Sequence, residues 1–585
     1  MEALSGKKPC SRGNAKYCIC IMLIYALYIL SRFLFLDSDV MPFTMSNIDP
    51  MDEIYYNQIG WNIADQGLLF SLTHGVGPVC VPNAKTYLVS NILVAITCSL
   101  LGKTYYALRT PTVLLGLFSM YLIQTILNDV LQDSKYKKKI IILTLLLYTT
   151  DFTLLMLTRS SITVTPCMTA ELLLFFAMVK LNGKRRRQSL ALGFLSTVSL
   201  CIVYMGVPFF ILASGLFVVV DALIQTRKFK EVIINAALFG VGIILGILFS
   251  DLCSRVFLKQ NIIEILLATL AGHGEKINTA PTLHTILVAM FSFFESNLFR
   301  YDSLLLFLLA ASVLIELFRK KRSPYCLFAI LLIFSHWLQN IPLNNMTASK
   351  TSISAGAVLL LAAMELEHLI GETAGRDSAE IPVWKRVIAL AAFLLLTLFC
   401  AWRGGWSNGF SNRTVLILQL SVWYQCFVFI LCAFDLGSIK RHVVLALLPA
   451  IVFSAALGYR KLFAHPTYDD LILCKSLNEF SGEKLIGWDC AFALYNDIDP
   501  VFSYYDRYSN PDIPDYTNEK MHEYTNSSSS FYLLDYTMSP EQLEKFNEAF
   551  ADTPYKYEQV LWKYRTYYAW VPEDSAVAVY KKVLK

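Results

Sequence analysis

Met51-Asp52-Glu53-Ile54-Tyr55-Tyr56 sets two adjacent carboxylates beside two tyrosines, just past the first apolar run of the chain. Carboxylates exchange protons and hold cations, and a charge at the edge of a bilayer needs a reason to be there. The pair is therefore a candidate active site. A competing reading is structural, because acids also favour the amino ends of helices.

The elements that must position this pair are membrane helices. Hydrophobic residues make up 55% of the 585-residue chain and charged residues 16%, and the mean hydropathy is +0.49. That composition lies far from an ordinary globular domain. About 20 apolar residues cross a bilayer as a helix. The sequence offers about thirteen such segments, near 17–36, 106–129, 139–157, 164–181, 187–203, 207–225, 231–250, 301–318, 325–342, 351–369, 386–402, 414–434 and 442–458. Lipid supplies no partner for open backbone groups, so these runs are expected to be helical. No internal repeat or low-complexity tract is visible, which weighs against an inverted-repeat transporter.

Basic residues set the expected orientation, since short cytoplasmic loops collect them. With the amino terminus inside, the inner segments hold 25 of the 50 basic residues, in runs such as Lys137-Lys138-Lys139 and Lys184-Arg185-Arg186-Arg187. The short outer loops between spans keep Arg159, Lys350, Arg403 and Arg413. Thirteen spans then leave the carboxyl terminus outside. The net charge of +5 follows topology and is no nucleic-acid footprint.

The domains read as a cytoplasmic amino terminus (1–16), a transmembrane region (17–458) and a soluble region (459–585). The amino-terminal basic stretch and apolar run show no small-residue cleavage site after Leu36, so this segment is expected to be a span and not a signal peptide. Outer loop 37–105 carries an amphipathic stretch at 52–66 and an apolar segment at 87–101, too short to span and expected to lie along the outer leaflet. Outer loop 251–300 carries His273, Glu275, Lys276 and His284. In 459–585, Lys484–Trp488 and Ser530–Asp535 read as strands, Ser539–Phe550 as a capped helix and Ala576–Val583 as a final strand, together a small α/β module. Its polar, aromatic-rich stretch 503–529 suits a sugar-contacting surface, and an ordinary exposed loop is the competing reading. Most of the 14 cysteines lie in or beside apolar spans, as small hydrophobes do. Cys474 and Cys490 share the outer region and are a candidate disulfide pair.

One span, then Asp52-Glu53 with Tyr56, Ala64 and Gly67, then Lys85 heading an apolar segment, then Gly102 and Ala107-Leu108-Arg109-Thr110-Pro111, form an ordered set. In that order the chain resembles the GT-C fold membrane glycosyltransferases, in the style of the bacterial aminoarabinose transferase and protein O-mannosyltransferase group (glycosyltransferase family 39-like). The resemblance implies a mainly α, polytopic fold of about 13 transmembrane helices with a small extracytoplasmic α/β carboxyl-terminal domain. It also implies transfer of a hexose or pentose from a polyprenyl-phosphate donor to a glycan, lipid or protein acceptor of the cell envelope, at the outer face of a bacterial plasma membrane.

That chemistry asks for the residue types present. An acceptor hydroxyl is a weak nucleophile, and a carboxylate that removes its proton contributes roughly 10²–10⁴-fold. Asp52 is the expected base, with Glu53 orienting it, binding the sugar or capping a helix. The departing lipid phosphate needs cations or donors nearby. Lys85, Arg159 and Lys350 are the outer cations for it, with snorkelling to headgroups as the bland alternative. The resemblance also shows departures. Lys85 stands in Asn83-Ala84-Lys85-Thr86-Tyr87, without the acid and prolines usual around the family lysine. No acid follows Arg159 closely, and Glu171 is a weak substitute about three turns up the next helix. Dependence on a divalent metal is thus left open; His273 with Glu275 offers replacement ligands, although a lone loop histidine is more often simply solvated. Two other classes stay in view. A transporter or flippase would line a pathway with mid-span ionisable groups, which the spans nearly lack, and a catalytically inactive scaffold would fit the missing acid. The sequons at Asn345, Asn412 and Asn526 occur at a density that chance produces.

Overall fold

The computed structural model describes residues 12–36, 57, 60, 64, 87–102, 104–258, 261–264, 266, 323–340, 352–370, 456, 484–487, 499–500, 519–536, 538–563 and 577–585. Helix α1 runs Arg12–Phe33, α2 Leu88–Leu101, α3 Tyr105–Val130, α4 Lys137–Thr150 and α5 Phe152–Leu157. Then come α6 Val164–Lys180, α7 Arg185–Val198 with a π turn at Ser199–Val203, α8 Phe209–Thr226, α9 Phe229–Leu258, α10 Pro324–Asn340 and α11 Ala355–Ile370. Nine of the expected spans fall on these helices; the spans expected near 301–318, 386–402, 414–434 and 442–458 lie outside the described residues, apart from residue 456.

Among the described residues four helical stretches, Ala15–Phe33, Tyr105–Val130, Phe209–Thr226 and Phe229–Phe257, are long and apolar enough to cross a membrane. Their outward faces show bare apolar side chains, with Leu30 66% and Leu252 61% exposed. Such surfaces are costly in water and natural in lipid. Inward faces join one core that includes Tyr28, Ile123, Leu145, Phe175, Phe328 and Leu360.

Among the described residues, the basic ends that follow α6 and α8 gather at one end of the bundle. Lys180 pairs with Asp129 at 2.7 Å, Arg185 with Asp221 at 3.5 Å and Arg186 with Glu231 at 3.6 Å. Exposed pairs of this kind contribute little stability. Their meaning is geometric: the ends of α3 and α6 and the starts of α7 and α9 meet on the same side.

At the other end, local chemistry interrupts the helices. The third span breaks at Asp151, whose Oδ1 accepts from the Leu154 amide at 2.9 Å and so starts α5 afresh. Inside α3, Pro111 has no N–H to give the carbonyl four residues back, that of Ala107. Thr97 of α2 supplies the missing donor, its Oγ1 bonding Ala107 O at 2.8 Å. The expected segment 87–101 is thus a 14-residue helix fastened to the second span.

In the carboxyl-terminal region, strands β1 Lys484–Gly487, β2 Asp499–Pro500, β3 Phe531–Tyr536, β4 Tyr555–Lys563 and β5 Val577–Leu584 form one mixed sheet, with helices α12 Glu519–Asn526 and α13 Pro540–Glu548. The order is β2-β1-β3-β5-β4, parallel at β1 and antiparallel where β5 meets β3 and β4. The expected helix cap is present as a reciprocal Ser539/Gln542 capping box. Three elements carry no expectation from the sequence, the two-residue β2 among them. Strand β4 alternates Tyr555 and Tyr557 with Lys556 and Glu558, a period-two signal, and residues 519–526 of the polar stretch are helical, where Thr525 bonds Tyr557 at 2.6 Å.

Candidate functional site

Helix α1 ends where the acid-bearing segment begins. The last carbonyls of any helix lack intrahelical partners, and here two fully buried arginines, Arg159 and Arg109, deal with that end while a third, Arg32, lies beside it. Arg159 Nη1 donates to the carbonyls of Ser31 at 2.8 Å, Arg32 at 3.0 Å and Leu34 at 2.8 Å, and its Nη2 to Phe35 at 2.6 Å. Arg109 Nη1 donates to the Leu36 carbonyl at 2.8 Å and lies over the Tyr105 ring. Arg32 reaches across to the break in the third span, donating to Thr158 Oγ1 at 3.0 Å and the Thr149 carbonyl at 2.5 Å. Positive charge at a helix carboxyl end is electrostatically favourable.

Aromatic packing fixes this corner. Tyr28 and Tyr148 stack with centroids 5.9 Å apart, and their hydroxyls donate to the carbonyls of Val113 and Gly116. A Cβ at Gly116 would lie 2.1 Å from the Tyr28 hydroxyl, so only glycine lets α1 approach α3 here.

Downstream of the acid pair the chain is held against the same turn. Asn57 Nδ2 donates to the Ser161 carbonyl at 2.5 Å, and the Gly60 amide donates to Asn91 Oδ1 of α2 at 2.7 Å. Ala64 packs on Val94, Cys98, Tyr105, Ala107 and Leu108. Residues 57, 60 and 64 are all helical and point the same way, as an amphipathic stretch requires. The Arg159–Ser161 turn therefore grips the chain on both sides of Asp52-Glu53.

Asp52, Glu53, Lys85 and Lys350 themselves lie outside the described residues. Tyr87, two residues after Lys85, is buried and stacks on Tyr204 at 5.4 Å. Arg159 is no headgroup anchor: it is 1% exposed and turned into the protein. Glu171, weighed from sequence as a stand-in for a missing acid, does not join the arginines; its Oε2 accepts from the Ala357 amide at 3.0 Å. Arg32, and the role of Arg109, escaped the sequence reading. Their signal was plain basicity inside apolar spans, which marks a residue with a task. The spans also hold buried Glu171, His336 and Glu365, so they are less free of ionisable groups than the sequence predicts.

Among the described residues no group of three or more His, Cys, Asp or Glu side chains is placed to hold a metal ion. His273, Glu275, Cys474 and Cys490 lie outside them.

No family model and no curated protein sequence matches this chain. Among solved structures it is similar to ArnT from Cupriavidus metallidurans in the apo state, at 12% identity and a TM-score of 0.48 over 96% of this chain and 98% of that one. It is likewise similar to the same protein bound to undecaprenyl phosphate, at 12% identity and a TM-score of 0.49 over 96% and 97%.

Proposed function

We propose that this chain is a polytopic membrane glycosyltransferase that moves a sugar from a polyprenyl-phosphate donor to a cell-envelope acceptor at the outer face of the plasma membrane. Asp52 is the general base: it takes the acceptor hydroxyl proton as the new glycosidic bond forms and the bond from the sugar to phosphate breaks. Lys85 and Lys350 offset the charge gathering on the leaving phosphate, and Arg159, its guanidinium taken up by the end of α1, adds to that only through the field of its charge. Glu53 orients the base or the sugar.

One observation carries the reading. The segment bearing Asp52-Glu53 is rooted at Phe35 and Leu36 by Arg159 and Arg109, and is caught again at Asn57 by Ser161. Five residues of even fully extended chain reach no more than about 18 Å, so the anchor at Asn57 keeps the acid pair in the neighbourhood of that turn. An ionisable pair tethered by a short chain to a turn that bears a buried guanidinium suits charge-dependent group transfer better than headgroup anchoring.

Cell-envelope glycans and lipids compared by mass spectrometry, with and without the protein, test the proposal. A sugar added only when the protein is present supports it, and identical profiles under conditions of full expression sink it. The second reading, a transporter or flippase, is favoured by Glu171, His336 and Glu365 buried within the spans. It predicts a lipid-linked sugar that changes leaflet with no new glycosidic bond.

A further inference from the structure

Helices α8 and α9 are both long and apolar enough to cross a membrane, and only Arg227 and Lys228 separate their spans, Phe209–Thr226 and Phe229–Phe257. Arg227 takes a left-handed backbone with φ of 52°, which closes α8 and lets α9 start at once. So short a connection holds both residues at a bilayer boundary. Helix α7 begins at the same corner: Arg185 lies 3.5 Å from Asp221 of α8, and Arg186 lies 3.6 Å from Glu231 of α9.

This corner carries more positive charge than its acids answer. Lys184, Arg187, Arg227, Lys228 and Lys230 are exposed, and none has an acid within ion-pairing distance among the described residues. Even Arg185 and Arg186 stand farther from their acids than the about 2.7–2.9 Å of a charge-assisted hydrogen bond. The helices alone gain nothing from the arrangement. Lys184, Arg187, Lys228 and Lys230 flank the amino ends of α7 and α9, where positive charge is disfavoured, and no side chain caps α7. An anion seated between the two helix starts relieves that repulsion.

The surroundings say which anion fits. Phe229, between Lys228 and Lys230, is 74% exposed; Ile224, near the end of α8, is 61% exposed, and Ile233, one turn into α9, is 54% exposed. A soluble anion matches the cations and ignores this apolar rim. A phospholipid matches both, with its phosphate on the cations and its acyl chains along the rim. We propose that the corner where α7, α8 and α9 meet binds an anionic phospholipid of the leaflet it faces. The site is separate from the transfer chemistry and does not depend on it.

The test uses the full chain in phosphatidylcholine nanodiscs, with spin-labelled phosphatidylglycerol as the probe and spin-labelled phosphatidylcholine as its net-neutral control. Wild type should prefer phosphatidylglycerol by at least about tenfold, and Arg187→Gln or Lys230→Gln should each lower that preference about fivefold, as for one cation at a lipid surface. Arg187→Gln, Lys228→Gln and Lys230→Gln combined should bring the two lipids near parity. Lys137→Gln, Lys138→Gln and Lys139→Gln combined remove as much charge from the start of α4, and should leave the preference unchanged. Should the combined corner variant fail to insert, the two single variants carry the test. Equal losses from the corner and from α4 mean diffuse attraction to every basic end and overturn the proposal. A wild type without preference overturns it as well. So does soluble glycerol phosphate that displaces the labelled lipid at equal concentration, since the rim would then contribute nothing.

Discussion

Arg159 Nη2 donates to the Phe35 carbonyl at 2.6 Å, and Phe35 holds a left-handed backbone with φ of 52°. A bulky residue adopts that conformation only where its surroundings compel it. The guanidinium holds it there, taking the carbonyls of Ser31, Arg32, Leu34 and Phe35 where α1 ends. A residue expected to face a ligand thus first serves as the carboxyl cap of the opening helix.

Arg159→Met should therefore destabilise the protein by at least about 2 kcal/mol, because it strips several buried carbonyls of their donor. The drop would be read as a lowered thermal-unfolding midpoint in detergent. Arg159→Lys keeps charge and loses the planar fork, and should recover only part of it. Unchanged stability with weakened lipid-phosphate binding would show instead that the ligand, and not α1, depends on Arg159.

Asp52→Asn should lower sugar transfer by roughly 10²-fold or more, with membrane expression and monodispersity unchanged. Asparagine keeps the size and still caps a helix, so a purely structural Asp52 would tolerate it. Glu53→Gln decides between neighbours. Loss in Glu53→Gln with activity retained in Asp52→Asn moves the base to Glu53, and activity in both removes the pair from catalysis.

Lys85→Ala should weaken affinity for a polyprenyl-phosphate donor, and Lys85→Arg should recover part of it, since charge returns with different geometry. Equal donor affinity in wild type and Lys85→Ala would leave Lys85 as a headgroup anchor.

The amino terminus should lie in the cytoplasm and the carboxyl terminus outside. Tags at both ends, probed with protease added to intact cells, read this directly. A protected carboxyl-terminal tag beside a cleaved amino-terminal one would reverse the assignment.

What could be read from the sequence was local in origin. Apolar runs bounded by Lys and Arg define helices because lipid forces each backbone to satisfy itself within a few residues. The ends of α3, α6 and α8 accordingly fall within two residues of those expected, and the Ser539 cap is written in four consecutive residues. Strand β4 is legible too, in the alternation of its tyrosines with charged residues. The roles of Arg159 and Glu171 were decided by tertiary structure alone. The carbonyls that Arg159 serves lie 124 to 128 residues away, and the amide that Glu171 holds is 186 residues away. Composition marks such residues as charged and outward or stray; whether a buried charge faces a ligand or a helix end depends on which distant backbone ends the packed bundle brings to it, and no local pattern encodes that.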